Sequence, residues 1–122
     1  MRSNESSEDY LETILLLSRK LPVVRSVDIA NELQFKKSSV SVAMKKLRET
    51  GMITVTDAGY IYLTDAGRDQ AEKVYERHRV FTDFLTSLGV DPEVAENDAC
   101  RIEHVISEES FRAFKKHVGE MK

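Results

Sequence analysis

Cysteine is nearly absent from this chain of 122 residues: Cys100 stands alone. One thiol cannot build an intrachain disulfide framework, and a lone Cys fits a reducing cytosol. Tryptophan is missing, and only Pro22 and Pro92 interrupt the backbone, so helices meet few obstacles. No apolar run is longer than Ile14-Leu15-Leu16-Leu17, far short of the ~20 residues a bilayer-spanning helix needs. The opening Met1-Arg2-Ser3-Asn4-Glu5 leads into no signal-type apolar stretch. A positive excess is lacking too. The net charge is −3, so bulk electrostatics predicts no nucleic-acid affinity, and any such affinity must come from local patterning. Charged residues at 32% and apolar residues at 41% leave the balance of a soluble folded chain. Its length gives room for one domain or two small helical lobes. The expectation is a cytoplasmic, mostly helical protein.

What is present falls into a legible order. Ser6 or Ser7 can cap a first helix whose stripe Leu11, Ile14, Leu15 and Ser18 runs to about Arg19. Pro22 ends it. Ser26 and Asp28 with Val27, Ile29, Ala30 and Leu33 read as a short second helix. A polar turn from Gln34 to Lys37 precedes Ser38, the cap candidate of a third helix carrying Val40, Met44 and Leu47 and stopped by Gly51. Ile53-Thr54-Val55 and Tyr60-Ile61-Tyr62-Leu63 flank the turn Thr56-Asp57-Ala58-Gly59 and predict a hairpin. A long helix follows over roughly 65 to 88, with Ala71, Val74, Tyr75, His78, Phe81 and Leu85 along one side, until Gly89. Asp91-Pro92 starts a further helix carrying Val94, Ala95, Ala99, Ile102, Val105 and Ile106. Ser107-Glu108-Glu109-Ser110 has the look of a capping box before a last helix with Phe111, Phe114 and Val118 inside. The fold class is mainly α with a small β-wing, the boundary lying near residue 64.

Residues 26 to 63 spell helix, tight turn, helix and hairpin, a winged helix-turn-helix. The second helix of that motif bears Lys36, Lys37, Lys45, Lys46 and Arg48, with no acid between positions 36 and 48. Ser38, Ser39 and Ser41 stand at its start. Hydroxyls and free N–H groups at a helix start bind phosphate oxygens, while lysines neutralise the backbone and release counterions. The early positions Lys37, Ser38, Ser41 and Val42 are the candidates for facing bases, Val42 offering only apolar contact, for instance to a thymine methyl. A lysine cluster alone is as well read as a solvated basic face. The preceding helix and following wing favour DNA.

Cys100, Glu103 and His104 stand at i, i+3 and i+4, within roughly a 100° arc of one helix face. Thiolate, carboxylate and imidazole converging there suit a first-row transition metal. The triplet is equally a solvated Glu-His pair beside a small core thiol. His78, on the inner stripe of the long helix, and the pair Asp9 and Glu12, adjoining the first helix's apolar stripe, weigh toward metal. No GxGxxG, phosphate-cradling loop, HExxH or serine elbow is present, so catalysis has no evident machinery and the expectation is that the chain is not an enzyme.

The winged motif, Arg77-His78-Arg79 on the long helix, and Asn97-Asp98-Ala99-Cys100-Arg101-Ile102-Glu103-His104-Val105-Ile106-Ser107 together resemble the metal-dependent repressors of the diphtheria toxin repressor and manganese transport regulator family. Ser7-Glu8-Asp9-Tyr10-Leu11-Glu12-Thr13-Ile14 resembles that family's opening helix. The resemblance covers nearly the whole chain. It implies a DNA-binding domain over 1 to 64, a helical dimerisation and metal-binding domain over 65 to 122, a homodimer on a double-stranded DNA operator, and Mn²⁺ or Fe²⁺ as corepressor. Zn²⁺, Co²⁺ or Ni²⁺ are admissible in vitro; no membrane or small organic substrate is implied. The implied ligands are Asp9, Glu12, His78, Cys100, Glu103 and His104. The set is a hybrid. Asp9 and Glu12 are similar to the manganese branch, where the iron branch has Met at position 9, while Cys100 is similar to the iron branch, where the manganese branch has Glu. Thr82 and Glu96 stand where the iron branch's ancillary site uses Glu and His. The SH3-like domain of longer members is not in this sequence.

The mechanism the resemblance implies is a fixed distance between the two recognition helices of the dimer. Metal offsets the crowded acids and ties the first helix to the dimer side, and half-sites are read when that distance matches a helical turn of DNA, ~34 Å or a multiple. In the cell this silences metal-uptake genes when metal is plentiful. Two other readings stand beside it: a constitutive winged-helix protein holding structural zinc or no metal, and a small metalloenzyme using Glu103 as base.

Overall fold

The computed structural model describes residues 3–120. Its described residues form six helices and one antiparallel hairpin, divided into compact units Met1–Glu72 and Lys73–Lys122. The division falls inside the long fourth helix.

In the first unit, α1 (Ser3–Ser18) packs on α2 (Ser26–Leu33), α3 (Lys37–Glu49) and the second strand of the hairpin. Leu11, Ile14 and Leu15 lie at three-and-four spacing and are all buried, which is the stripe that makes this segment a core helix. The helix begins at Ser3, so Ser6 and Ser7 sit inside it and do not cap it; no Gly or Pro lies between Ser3 and Glu8 to delay the start. Ser26 is likewise the first helical residue of α2. The capping contact is the Arg25 N–H donating to the Asp28 carboxylate at 2.9 Å. Gln34, left-handed at φ 57°, turns the chain, and extended Lys36 precedes α3, so Ser38 is a second helical residue instead of the cap. Gly51 does end α3: at φ 79° it donates to Arg48 O, and Met52 N–H donates to Leu47 O, the paired bonds of a left-handed helix stop.

The hairpin pairs β1 (Ile53–Val55) with β2 (Ile61–Leu63) in the register Ile53 to Leu63 and Val55 to Ile61. Ile61 N–H also donates to Val24 O at 2.8 Å, tying the wing to the segment before α2. Ile29, Val40, Ile53 and Ile61 are all buried in the core of this unit. The wing hands over to α4 (Asp65–Ser87) through Thr64, whose hydroxyl accepts the Gly67 N–H and donates to Gly51 O.

Gly67 has no room for a side chain. A Cβ there falls 1.9 Å from the Met52 carbonyl oxygen, a backbone atom that cannot rotate away. Gly67→Ala is therefore expected to lower unfolding free energy by about 2–3 kcal/mol in urea titration, the usual size of overpacking against a fixed partner. Gly119→Ala has open space around it and is expected to stabilise by about 0.5–1 kcal/mol through helix propensity.

The second unit contains the rest of α4, α5 (Pro92–Ile102) and α6 (Glu108–Glu120). Asp91 caps α5 by accepting the Glu93 N–H, with Pro92 at the first helical position. Ser107 Oγ accepts the Ser110 N–H at 3.1 Å, which makes it the α6 cap; because Ser110, not an acid, stands at the third position, a reciprocal box does not form. Phe81, Ala99 and Phe111 form the core, with Val80, Ile102, Ile106 and Phe114 against it. Phe81 and Phe111 are thus satisfied within the chain. Among the described residues of this unit, the large apolar side chains exposed are Leu88, Val94 and Val105. The α5 stripe also stops short of the expected end: the helix closes at Ile102, leaving Val105 and Ile106 in the connecting turn. Among the described residues no helix is long and apolar enough to cross a membrane.

Candidate functional site

On α3 the apolar face (Val40, Met44, Leu47) is buried, and the opposite face is wholly polar but for one residue. Lys36, Lys37, Ser38, Ser39, Ser41, Lys45 and Lys46 are all exposed. Val42 is 70% exposed among them. An aliphatic side chain so exposed on a basic helix face gains nothing from the fold; it suits apolar contact in a groove. Tyr62 of β2 is exposed as well. The arrangement offers a cationic, hydroxyl-rich helix face with a wing beside it in the same unit.

The second constellation is built where α5 ends. Cys100 lies in its last turn and is exposed. Glu103 is the C-cap, its backbone still right-handed helical at φ −60° and ψ −23°, and His104 follows in the turn. The three do not share one continuous helix face, yet they converge, because Glu103 keeps a helical backbone. Cys100 Sγ, a Glu103 carboxylate oxygen and a His104 nitrogen all lie within 4.8 Å of one another. His78 on α4 joins them, its Nδ1 3.3 Å from Glu103 Oε2, while His104 Nε2 is 3.4 Å from Oε1. Glu103 is only 1% exposed. A carboxylate that deep is costly as an anion unless positive charge stands against it. Imidazole, carboxylate and thiol donors around one point fit a first-row divalent ion.

Asp9 and Glu12 lie on α1 in the first unit, half-buried and one turn apart. Burial pushes the Tyr10 phenol above its ordinary value, and the neighbouring Asp9 charge adds to that. Thr82 is half-buried on α4 one turn beyond His78, and Glu96 is exposed on α5. One residue of this region is not evident from the sequence. Arg77 donates to the Glu103 and Ile106 carbonyls and to the Glu108 carboxylate. Its bond to Glu108 holds that carboxyl below its ordinary range. The run Arg77-His78-Arg79 carries part of the family resemblance but gives no sign of this bonding role for Arg77.

Residues 4–59 match the family described as iron dependent repressor, N-terminal DNA binding domain. Residues 64–122 match iron dependent repressor, metal binding and dimerisation domain. The transcriptional regulator MntR of Escherichia coli O6:H1 is 37% identical over 111 residues, 91% of this chain and 72% of that protein. Among solved structures, a manganese-dependent transcriptional repressor in complex with manganese superposes with a TM-score of 0.84 at 27% identity, over 93% of this chain and 52% of that one. IdeR from T. acidophilum superposes with a TM-score of 0.79 at 27% identity, over 92% and 53%. This chain therefore spans about half the length of each of those two structures. With both halves matched and a relative above one-third identity, the chain belongs to the iron-dependent repressor family of metal-dependent transcriptional regulators.

Proposed function

We propose that this chain represses transcription by binding a double-stranded operator as a homodimer when Mn²⁺ or Fe²⁺ occupies the Glu103 cluster. The observation that carries this is the buried Glu103 carboxylate bracketed by His78 and His104 with Cys100 in reach. The proposed ligands are His78, Cys100, Glu103 and His104 of the second unit, with Asp9 and Glu12 of α1 completing the set. When bound, the ion supplies positive charge that offsets these acidic donors. Asp9 and Glu12 belong to the helix that packs on α2 and α3, so whatever holds them bears on the DNA-reading element. By linkage, the factor by which metal raises DNA affinity is the factor by which operator DNA raises metal affinity. Thr82 and Glu96 do not reproduce the iron branch's ancillary pair, which favours a site built on the six residues above.

Domains over 1 to 64 and 65 to 122 divide the labour, the second dimerising, and metal-uptake genes in the cytoplasm are the proposed targets. The role is binding and regulation, with no catalytic residue. Leu88, Val94 and Val105, exposed in the second unit, support a self-associating surface. A sedimentation experiment showing monomer at tens of micromolar with and without metal sinks the dimer.

The deciding experiment is a DNA-binding titration of one sample with Mn²⁺, anaerobic Fe²⁺ and Zn²⁺. DNA affinity that ignores all three ions points instead to a constitutive winged-helix protein. At the α3 face, Lys37, Lys45 and Lys46 are proposed to contact phosphates and Ser38, Ser41 and Val42 to face bases, with Lys36 and Ser39 beside them at the helix start. Lys45→Ala is expected to weaken specific and nonspecific DNA alike and to reduce the salt slope by about one. Loss confined to one operator with the slope unchanged overturns the phosphate role.

A further inference from the structure

Arg77 stands one residue before His78 and sends its side chain across the second unit. Nη1 donates to the Glu103 carbonyl at 3.1 Å and to the Ile106 carbonyl at 2.9 Å. Nη2 donates to Glu108 Oε1 at 3.0 Å. The guanidinium carbon sits 5.4 Å from the Phe111 ring centroid, and the side chain is only 16% exposed. Both carbonyls lie past Ile102, the last residue of α5, where backbone acceptors have no donor within the helix. A planar fork reaches two carbonyls and a carboxylate at once; an ammonium is a single point of charge. Consecutive residues of α4 therefore hold Glu103 at both ends, Arg77 at its backbone carbonyl and His78 at its carboxylate. His104 lies inside the turn that Arg77 closes.

We propose that Arg77 is the positioning residue of the metal centre, pinning the 103–106 turn so that Glu103 and His104 are presented together before an ion arrives. This rests on the metal-binding function proposed above. Arg77 ligates nothing. Its effect passes through the backbone of the residues that do, and partners of ligating groups are worth ~10–100-fold in metal affinity.

Co²⁺ titration of the full-length chain, followed by its visible d–d absorption, tests this together with circular dichroism and the thermal midpoint of the metal-free protein. Arg77→Lys keeps charge and stem and removes the fork. It is expected to retain helical dichroism, to bind Co²⁺ at least ~10-fold more weakly, and to shift the band. Arg79→Lys, whose partners Tyr75 and Asp83 lie on its own helix, is expected to stay within about two-fold of wild type, far from the outer-shell range. A lower thermal midpoint in Arg77→Lys with wild-type Co²⁺ affinity and an unchanged band marks a merely structural arginine and overturns the proposal. Should Arg77→Lys fail to fold, Glu108→Gln removes one anchor of the fork and leaves both carbonyl contacts. It is expected to weaken Co²⁺ by about two- to five-fold, below the full outer-shell loss, and wild-type affinity there overturns the proposal. If the wild-type chain binds neither Co²⁺ nor Mn²⁺, the functional reading itself falls, an outcome separate from a wild type that binds and a variant that binds equally well.

Discussion

Glu103→Ala is expected to abolish metal-dependent DNA binding while leaving the metal-free protein folded. Both histidines approach Glu103, at 3.3 and 3.4 Å, and it is almost completely buried. Removing it deletes a central donor and leaves a small void between the two imidazoles. Loss of an outer-shell partner already costs ~10–100-fold in metal affinity, so loss of this carboxylate is expected to exceed ~100-fold for Mn²⁺ and Fe²⁺ alike. A truncated buried residue commonly costs stability. Here the change also removes a buried charge, which is itself expensive, so the metal-free thermal midpoint is expected to hold or rise. Glu103→Gln keeps the volume and removes the charge, and is expected to lose metal nearly as completely. The readout is operator binding titrated with Mn²⁺, beside calorimetry of the ion alone. Glu103→Ala with an unchanged Mn²⁺ response places the responsive site elsewhere and removes the basis of the proposed function.

The order of helices, the hairpin and the exposed basic face of α3 were legible because each rests on local pattern: three-and-four spacing, β-branched runs, and turn residues such as Gly51 and Gly59. Helix starts were less so. Ser38 has the chemistry of a cap, yet Lys36 occupies that place, because the left-handed turn at Gln34 sets where the backbone can first become helical. The end of α5 was missed for a similar reason. Val105 and Ile106 continue the helical period, but the carbonyls of Glu103 and Ile106 bond to Arg77, a residue 26 and 29 positions away. Periodicity cannot see a competitor for backbone acceptors that comes from another helix. The phenylalanines show the same limit of local pattern: Phe81 and Phe111 lie on different helices, and the structure packs them into one core.

Cys100→Glu is expected to shift activation toward Mn²⁺, and Cys100→Ala to weaken the response to every ion. The reasoning is donor softness. Thiolate favours Fe²⁺, Co²⁺ and Zn²⁺ relative to Mn²⁺, whereas carboxylate oxygens suit Mn²⁺. The proposed set holds three carboxylates, Asp9, Glu12 and Glu103, against one sulfur. Mn²⁺ is therefore expected still to activate, with less preference over iron than an oxygen and imidazole site has. Geometry permits the sulfur to take part, since Sγ lies within 4.8 Å of both the Glu103 and His104 donor atoms. It is not buried, which separates it from a thiol that merely fills core volume. Co²⁺ gives the direct reading, because thiolate ligation produces an intense near-ultraviolet charge-transfer band that carboxylate and imidazole do not. Wild type is expected to show it, and Cys100→Ala and Cys100→Glu to lose it. If Co²⁺ binds stoichiometrically to wild type without that band, and Cys100→Ala keeps metal-activated DNA binding, the sulfur is no ligand and the hybrid character of the site disappears.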